Sequence, residues 1–261
     1  MMRLVFTRSI AVGPKQFSSA HGAEGTTALT ARFAAAGRAA LARSGRFAVA
    51  VSPAALTVPF VAALGTVPLA AERFWRATHL FLSDTWLAEG VAPRAIAQRL
   101  PVPAGALHLD AAEHANPLTA AAAYEQELRG FFSARAGTLP RFDLIVVALG
   151  ADGRLGGLVP GGRALDEIER IAAADFDPGT GRYFVTLTPP VIRNAAGVFV
   201  VVQHDSAAAL RRRIAGEERL AERDPVQVLR AAAGDVTVVA AATDSPSARH
   251  AAGEAATHPE L

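Results

Sequence analysis

No cysteine occurs in the chain, which excludes disulfides, thiolate metal sites and a cysteine nucleophile. Lysine is almost as scarce: Lys15 is the only one, so nearly all positive charge is carried by arginine in a chain whose formal charge is only +2. Arginine in place of lysine, with abundant alanine, is the coding bias of a GC-rich genome, so the basic isoelectric point alone does not signal a nucleic-acid surface. The basic residues are also dispersed. The one cluster, Arg211-Arg212-Arg213, stands beside Glu217 and Glu218, which could pair with it at helical spacing. No window has the uninterrupted apolar length of a membrane span. The opening MMRLVFTRSIAVGPKQF lacks the long apolar stretch and small-residue cleavage site of a secretory signal. These absences lead us to expect a soluble cytoplasmic protein that binds neither nucleic acid nor membrane.

What the chain does have is apolar residues: 51% of 261 are hydrophobic and 19% charged, enough to bury a large core. Apolar runs alternate with amphipathic stretches, the pattern of a parallel sheet covered on both faces by helices. Thr26 or Thr27 can cap a helix with Leu29, Phe33, Ala36 and Ala40 on one side, and Gly45 is placed to end it. Strands are expected at 46–52, 78–84, 106–110, 142–150, 182–188, 197–203 and 235–242. Pro53 to Leu56 reads as the first turn of a helix capped by Ser52, with Pro59 making its continuation irregular. Further helices are expected at 117–135, with Leu118, Ala122, Leu128 and Phe131 or Phe132 facing the core, and from Ser206 to about Glu222. No linker divides the chain, so residues 1–244 are read as one α/β domain and 245–261 as a flexible tail.

The segment FDLIVVALGADGRLGGLVPGG, Phe142 to Gly162, runs from the most apolar strand into an Asp-Gly pair and a glycine-rich loop. Around it the motif order resembles the 6-phosphogluconolactonase family and, more distantly, the glucosamine-6-phosphate deaminases, from about Thr30 to Asp244. Trp75 with THLFLSD is similar to that family's Trp, strand and Asp-Glu-Arg segment; PVPAGALHLD and AAAAYEQEL to the connecting strand and helix. FDLIVVALGADG is similar to the central strand and Asp-Gly-His loop, VTLTPPVIRNAAGVFVVV to the Thr-Leu-Thr strand and Ile-Asn-Ala turn, and DPVQVL with the last strand falls in order. The resemblance implies a three-layer α/β/α fold with a mainly parallel, Rossmann-like sheet and a ligand beyond the carboxyl ends of the strands. It also implies hydrolysis of 6-phosphogluconolactone in the pentose phosphate pathway, without metal or cofactor. A glycine-rich phosphate turn and a histidine base would serve that chemistry.

Several positions depart from the family's pattern. Its Ser-Gly-Gly-Ser-Thr-Pro turn falls on Ser52-Pro53-Ala54-Ala55-Leu56-Thr57, where two glycines are Pro53 and Ala54 and one amide donor is gone. Asp-Glu-Arg reads Asp84-Thr85-Trp86, and Arg154 stands where the histidine belongs, a group that stays protonated at neutral pH. Ser-Leu-Phe-Pro-Gly reads Gly157-Leu158-Val159-Pro160-Gly161, and the lysine expected after the VVV strand falls on Ser206.

Three readings follow. A working lactonase would use Asp84 or Asp152 as base, with Ser52, Gly153, Arg154, Arg182 and Trp86 around a sugar-phosphate or sugar-lactone ligand. A non-catalytic member would keep the fold as a binding or assembly subunit with a protein partner, offering Trp86 and Leu87 as apolar anchors. A third possibility is a less phosphorylated or more apolar ligand in the same cleft. Against a catalytic role, Asp152 before Gly153 is also a common turn-capping arrangement. The seven histidines, His21, His79, His108, His114, His204, His250 and His258, show no metal-ligand spacing. His79 and His108 are read as structural, and His204 at a strand end as the one replacement base to test.

Overall fold

The computed structural model describes residues 10–12, 15–17, 22–65, 72–87, 96, 98–108 and 116–241. Its centre is a run whose side chains are all buried, Leu144–Leu149 (β7). A strand apolar on both faces must be covered on both, and parallel pairing by crossover helices achieves this. β7 pairs in parallel with β3 (Phe47–Val51) on one side and β10 (Gly197–Gln203) on the other. With β4 (Thr78–Leu82), β6 (Leu107–His108) and β11 (Asp235–Ala241) the six-stranded order is β11-β10-β7-β3-β4-β6, every pairing parallel.

Alternate residues along these strands divide between two apolar clusters, as the two-residue period of a strand requires. Leu144 and Val146 pack with Phe47, Val49 and Val51 against α1 (Gly22–Ser44), α2 (Val58–Gly65) and α3 (Glu72–Arg76). Ile145 and Val147 pack with Ala48, Ala50 and Phe81 against α4 (Pro117–Phe132), α5 (Pro189–Asn194), α6 (Ala207–Ala215) and α7 (Val226–Arg230). The result is the expected three-layer α/β/α arrangement. A second sheet of three antiparallel strands, β5 (Asp84–Trp86), β9 (Arg182–Leu187) and β8 (Ala172–Asp177), in the order β5-β9-β8, is joined to the first at Ser83. Ser83 donates its N–H to Val51 O at 3.0 Å, and its carbonyl accepts from Leu187 at 2.8 Å. A short hairpin pairs β1 (Ile10–Val12) with β2 (Lys15–Phe17).

Several boundaries differ from those read in the sequence. α1 begins at Gly22, ahead of Thr26, and ends as expected at Gly45, whose φ is +72°. Pro53 to Leu56 is not helical: the Thr57 hydroxyl donates to the carbonyls of Ser52 and Ala54, folding the loop back on itself. The helix therefore starts at Val58, and Pro59 sits in its first turn, where a missing N–H costs nothing. The strand read over 78–84 breaks at Ser83 and passes into the second sheet. The 182–188 segment is a strand, but an antiparallel one in that sheet.

α4 is capped by Asn116, whose side chain accepts from Leu118 and Thr119, and it stops before Ser133, which is left-handed at φ 51°. Leu118, expected in the core, is 69% exposed because it lies in the first turn of that helix. The arginine-rich helix ends at Ala215, since Gly216 turns left-handed at φ +86°. Arg212 does meet Glu218 at 2.7 Å, around that turn rather than at helical spacing, and Arg213 pairs with Asp224 at 2.5 Å. Residues 109–110 and the tail at 245–261 lie outside the described residues, as do His21, His114, His250 and His258. No helix among the described residues is long and apolar enough to cross a membrane.

Candidate functional site

Where β3, β4 and β7 end together, the chain must leave a buried sheet, and three loops converge there. They enclose a cavity of about 300 Å³ lined by Ser52 to Leu56, by Asp84 to Trp86, by Gly150, Asp152, Arg154, Gly156 and Gly157, and by Ala148 and Phe184. Five of the seven residues singled out in the sequence thus share one cavity: Ser52, Asp84, Trp86, Asp152 and Arg154. Gly153 and Arg182 are not on its wall. Gly153 makes the turn that carries Arg154, with φ +81° and its N–H on Gly150 O at 3.1 Å. Arg182 lies over the Trp86 ring, 5.4 Å from its centroid.

Asp84 opens β5 and forms the cavity floor. The residue keeps some exposure through the cavity while its carboxyl group is enclosed by protein atoms. Burial pushes that carboxyl above the ordinary carboxylate range; Ser83, Ser52 and Arg154 offset part of the effect. Ser83 Oγ donates to Asp84 Oδ1 at 2.7 Å. Ser52 Oγ is also near enough to favour the charged form, yet it is wholly buried and forms no hydrogen bond of normal geometry. The glycine-rich loop closes over this carboxylate. A Cβ at Gly157 would lie 2.5 Å from Thr186 Cβ and 2.9 Å from Asp84 Cβ, so a side chain there would displace the floor.

Asp152 is different in kind. Its side chain is 63% exposed, and Oδ1 accepts the backbone N–H of Arg154 at 3.2 Å, which is the turn-capping arrangement. Arg154 is 17% exposed and paired: Nη2 is 2.6 Å from Asp177 Oδ2 and Nε is 3.6 Å from Asp152 Oδ2. Its guanidinium also lies 5.2 Å from the Trp86 centroid and 5.6 Å from that of Phe184. A guanidinium held this way can neutralise charge and fix loops, but it cannot accept a proton. The groups on the cavity wall that can accept a proton are the carboxylates of Asp84 and Asp152.

Asp177 and Phe184 were not singled out in the sequence. The signal was present: Pro178-Gly179-Thr180-Gly181 between two strand-like runs marks a hairpin, and Asp177 stands at its first corner. Leu87, read as an exposed anchor, is buried in the core at 8% exposure, and Trp86 is half-buried against Phe184 with ring centroids 5.4 Å apart. His204 lies in the turn after β10 and does not line the cavity.

His79 and His108 form a chain with Glu127 under α4: His79 Nδ1 is 3.2 Å from His108 Nε2, whose Nδ1 is 2.7 Å from Glu127 Oε1. His108 stacks on Phe81 at 4.0 Å, and burial, with His108 and Arg46 nearby, lowers the His79 pKa. Among the described residues no group of three or more His, Cys, Asp or Glu is arranged to hold a metal.

The profile of the glucosamine-6-phosphate isomerases/6-phosphogluconolactonase family matches residues 21–238. A 6-phosphogluconolactonase of Synechocystis sp. is 30% identical over 196 residues, covering 72% of this chain and 78% of its own. That of Nostoc sp. is 29% identical over 171 residues, covering 62% and 69%. In fold, the 6-phosphogluconolactonase from Trypanosoma cruzi superposes with a TM-score of 0.71 at 20% identity, over 90% of this chain and 95% of that one. By sequence span and by fold, this chain belongs to the glucosamine-6-phosphate isomerase/6-phosphogluconolactonase family.

Proposed function

We propose that this chain does not hydrolyse 6-phosphogluconolactone and keeps the family's cleft for binding, as a ligand-binding or assembly subunit in the cytoplasm. One observation carries the reading: at the loop position read as the family's histidine, the Arg154 guanidinium is engaged by Asp177 and by the faces of Trp86 and Phe184. A base there would need a free lone pair, and this group has none. Residues 1–244 act as one domain in this reading, supported among the described residues by two apolar clusters that share the strands of a single sheet.

A second reading rests on Asp84. A carboxyl whose pKa is raised by burial, at the floor of a small cavity, has the character of a general base for water attacking a lactone carbonyl. Purified protein assayed against 6-phosphogluconolactone separates the two. The first expects no rate above spontaneous hydrolysis; turnover that disappears in Asp84→Asn would overturn it and establish the second.

A further inference from the structure

We infer that the outer end of the small sheet is a docking surface for a partner protein's proline-rich segment carrying a carboxylate. The surface shares no lining residue with the Asp84 cavity, so it gives the assembly reading a site of its own, independent of lactone turnover.

The surface exists because α4 covers only part of the sheet face beneath it. By the two-residue period of a strand, Ala172, Ala174 and Phe176 of β8 lie on one face with their β9 partners Leu187, Val185 and Tyr183. Ala172, Val185 and Leu187 are buried in one cluster with Ala120, Ala121 and Tyr124 of α4. The helix begins only at Pro117, and Phe176 and Tyr183 are left 42% and 51% exposed, with ring centroids 5.0 Å apart. Leu118, in the first turn of α4, lines the same groove of about 660 Å³. A single exposed apolar side chain is ordinary; three on one groove, two of them aromatic, make a patch of the kind partners cover.

The groove is held in shape. Asp175 accepts the Ala164 N–H on Oδ2 and the Phe176 N–H on Oδ1, each at 2.9 Å. Arg223 fixes the loop beside it, accepting from the Gly161 N–H at 3.2 Å and donating to Gly162 O at 3.0 Å. Walls bonded in this way need little further ordering when a partner docks.

The polar groups decide the occupant. Of the two charged side chains on the wall, Asp175 is closed by those two N–H groups, while the exposed Arg163 guanidinium forms no ion pair or hydrogen bond with another described residue. No hydrogen bond joins the Tyr183 hydroxyl to another described residue either. The open side chains are thus a guanidinium that only donates and a phenol that can, over an apolar floor. A fitting occupant brings apolar bulk, open carbonyls and a carboxylate. A helix bonds its carbonyls internally. An added strand needs a free edge, and here the edge is closed. Tyr183 turns its carbonyl to Leu87 on the β5 side, so Phe176 opposite it turns its main chain to the outer edge of β8, where Asp175 already caps its N–H. A polyproline II segment has no internal hydrogen bonds, proline carries no N–H, and such segments dock on aromatic-lined grooves.

The test is calorimetric titration of the purified full chain with three acetylated, amidated nonapeptides: glutamate flanked on each side by four prolines, the same with glutamine for glutamate, and the glutamate peptide with glycine at alternate prolines. The expected result is saturable binding of the first, weaker by about threefold with glutamine and by about tenfold with glycine. Tyr183→Ala should weaken the first peptide by about tenfold. Leu118→Ser, at a position 69% exposed, should weaken it without moving the melting temperature, and Arg163→Ala should bring it level with the glutamine peptide. No binding of the glutamate peptide, equal binding of the glutamate and glutamine peptides, or binding unchanged by Tyr183→Ala and Leu118→Ser would each overturn the assignment. So would a dimer in sedimentation that Tyr183→Ala dissociates, which would give the surface to a second copy of the chain. Lactone turnover, present or absent, leaves the assignment standing.

Discussion

Asp84 and Asp177 lie on either side of Arg154, one on the cavity floor and one at the corner of the β8–β9 hairpin, and their surroundings push the same carboxyl group in opposite directions. At Asp84 burial dominates and raises the pKa, with Ser83, Ser52 and Arg154 only partly opposing it. At Asp177 burial also acts upward, but it is outweighed by the Gly179 N–H, the Arg154 guanidinium and the Thr180 hydroxyl, and the pKa falls. Shielding from water is common to both; the number of donors decides the sign. The hairpin carboxylate is thus held as an anion, and the floor carboxylate is enclosed with too few donors to offset its burial.

The largest test of this contrast removes the hairpin anion. Asp177→Ala leaves the Arg154 guanidinium without its 2.6 Å partner and unties Gly179 and Thr180, so the chain should lose about 3 kcal/mol of stability in urea unfolding. A loss below about 1 kcal/mol would mean that the hairpin does not anchor Arg154. Next in size, Gly157→Ala forces a methyl against Thr186 and Asp84 and should cost about 2 kcal/mol by the same measurement.

The smallest effect is the one that reads the two signs directly. The stabilisation from Asp177 is complete above the unfolded carboxylate pKa of about 3.9 and is lost as pH falls through its lower folded value. The charged form of Asp84 is disfavoured in the fold, so its cost is complete above its raised value and fades as pH falls through it. Asp84→Asn should therefore be as stable as the unsubstituted chain at pH 7, or more stable by up to about 1 kcal/mol, with the difference closing in acid. A substitution that destabilises equally at every pH would contradict the burial account.

The sequence made the large sheet plain because its strands answer to one rule. Residues 197–203 and 235–241 are apolar on both faces, and little besides a buried parallel strand can be made of them. The second sheet follows no such rule. β8 reads AAADFD, with carboxylates made acceptable by the Ala164, Phe176 and Gly179 N–H groups, the Thr180 hydroxyl and the Arg154 side chain. Most of those partners are distant in sequence or set by a turn, and no periodicity announces them. The same applies within the cavity. Ser52, Asp84, Trp86, Asp152 and Arg154 could be named because motif order placed them at strand ends, whereas the pairing that immobilises Arg154 depends on a hairpin corner visible only as Pro-Gly-Thr-Gly.

The joint at Ser83 decides where the neighbouring carboxylate stands. Its amide is tied to one sheet and its carbonyl to the other, while Asp84 follows directly in the chain. Asp84 is therefore located by both sheets at once, from the large one through Ser83 and from the small one through its pairing with Thr186, while the far corner of the small sheet is tied back to the same cavity through Asp177 and Arg154.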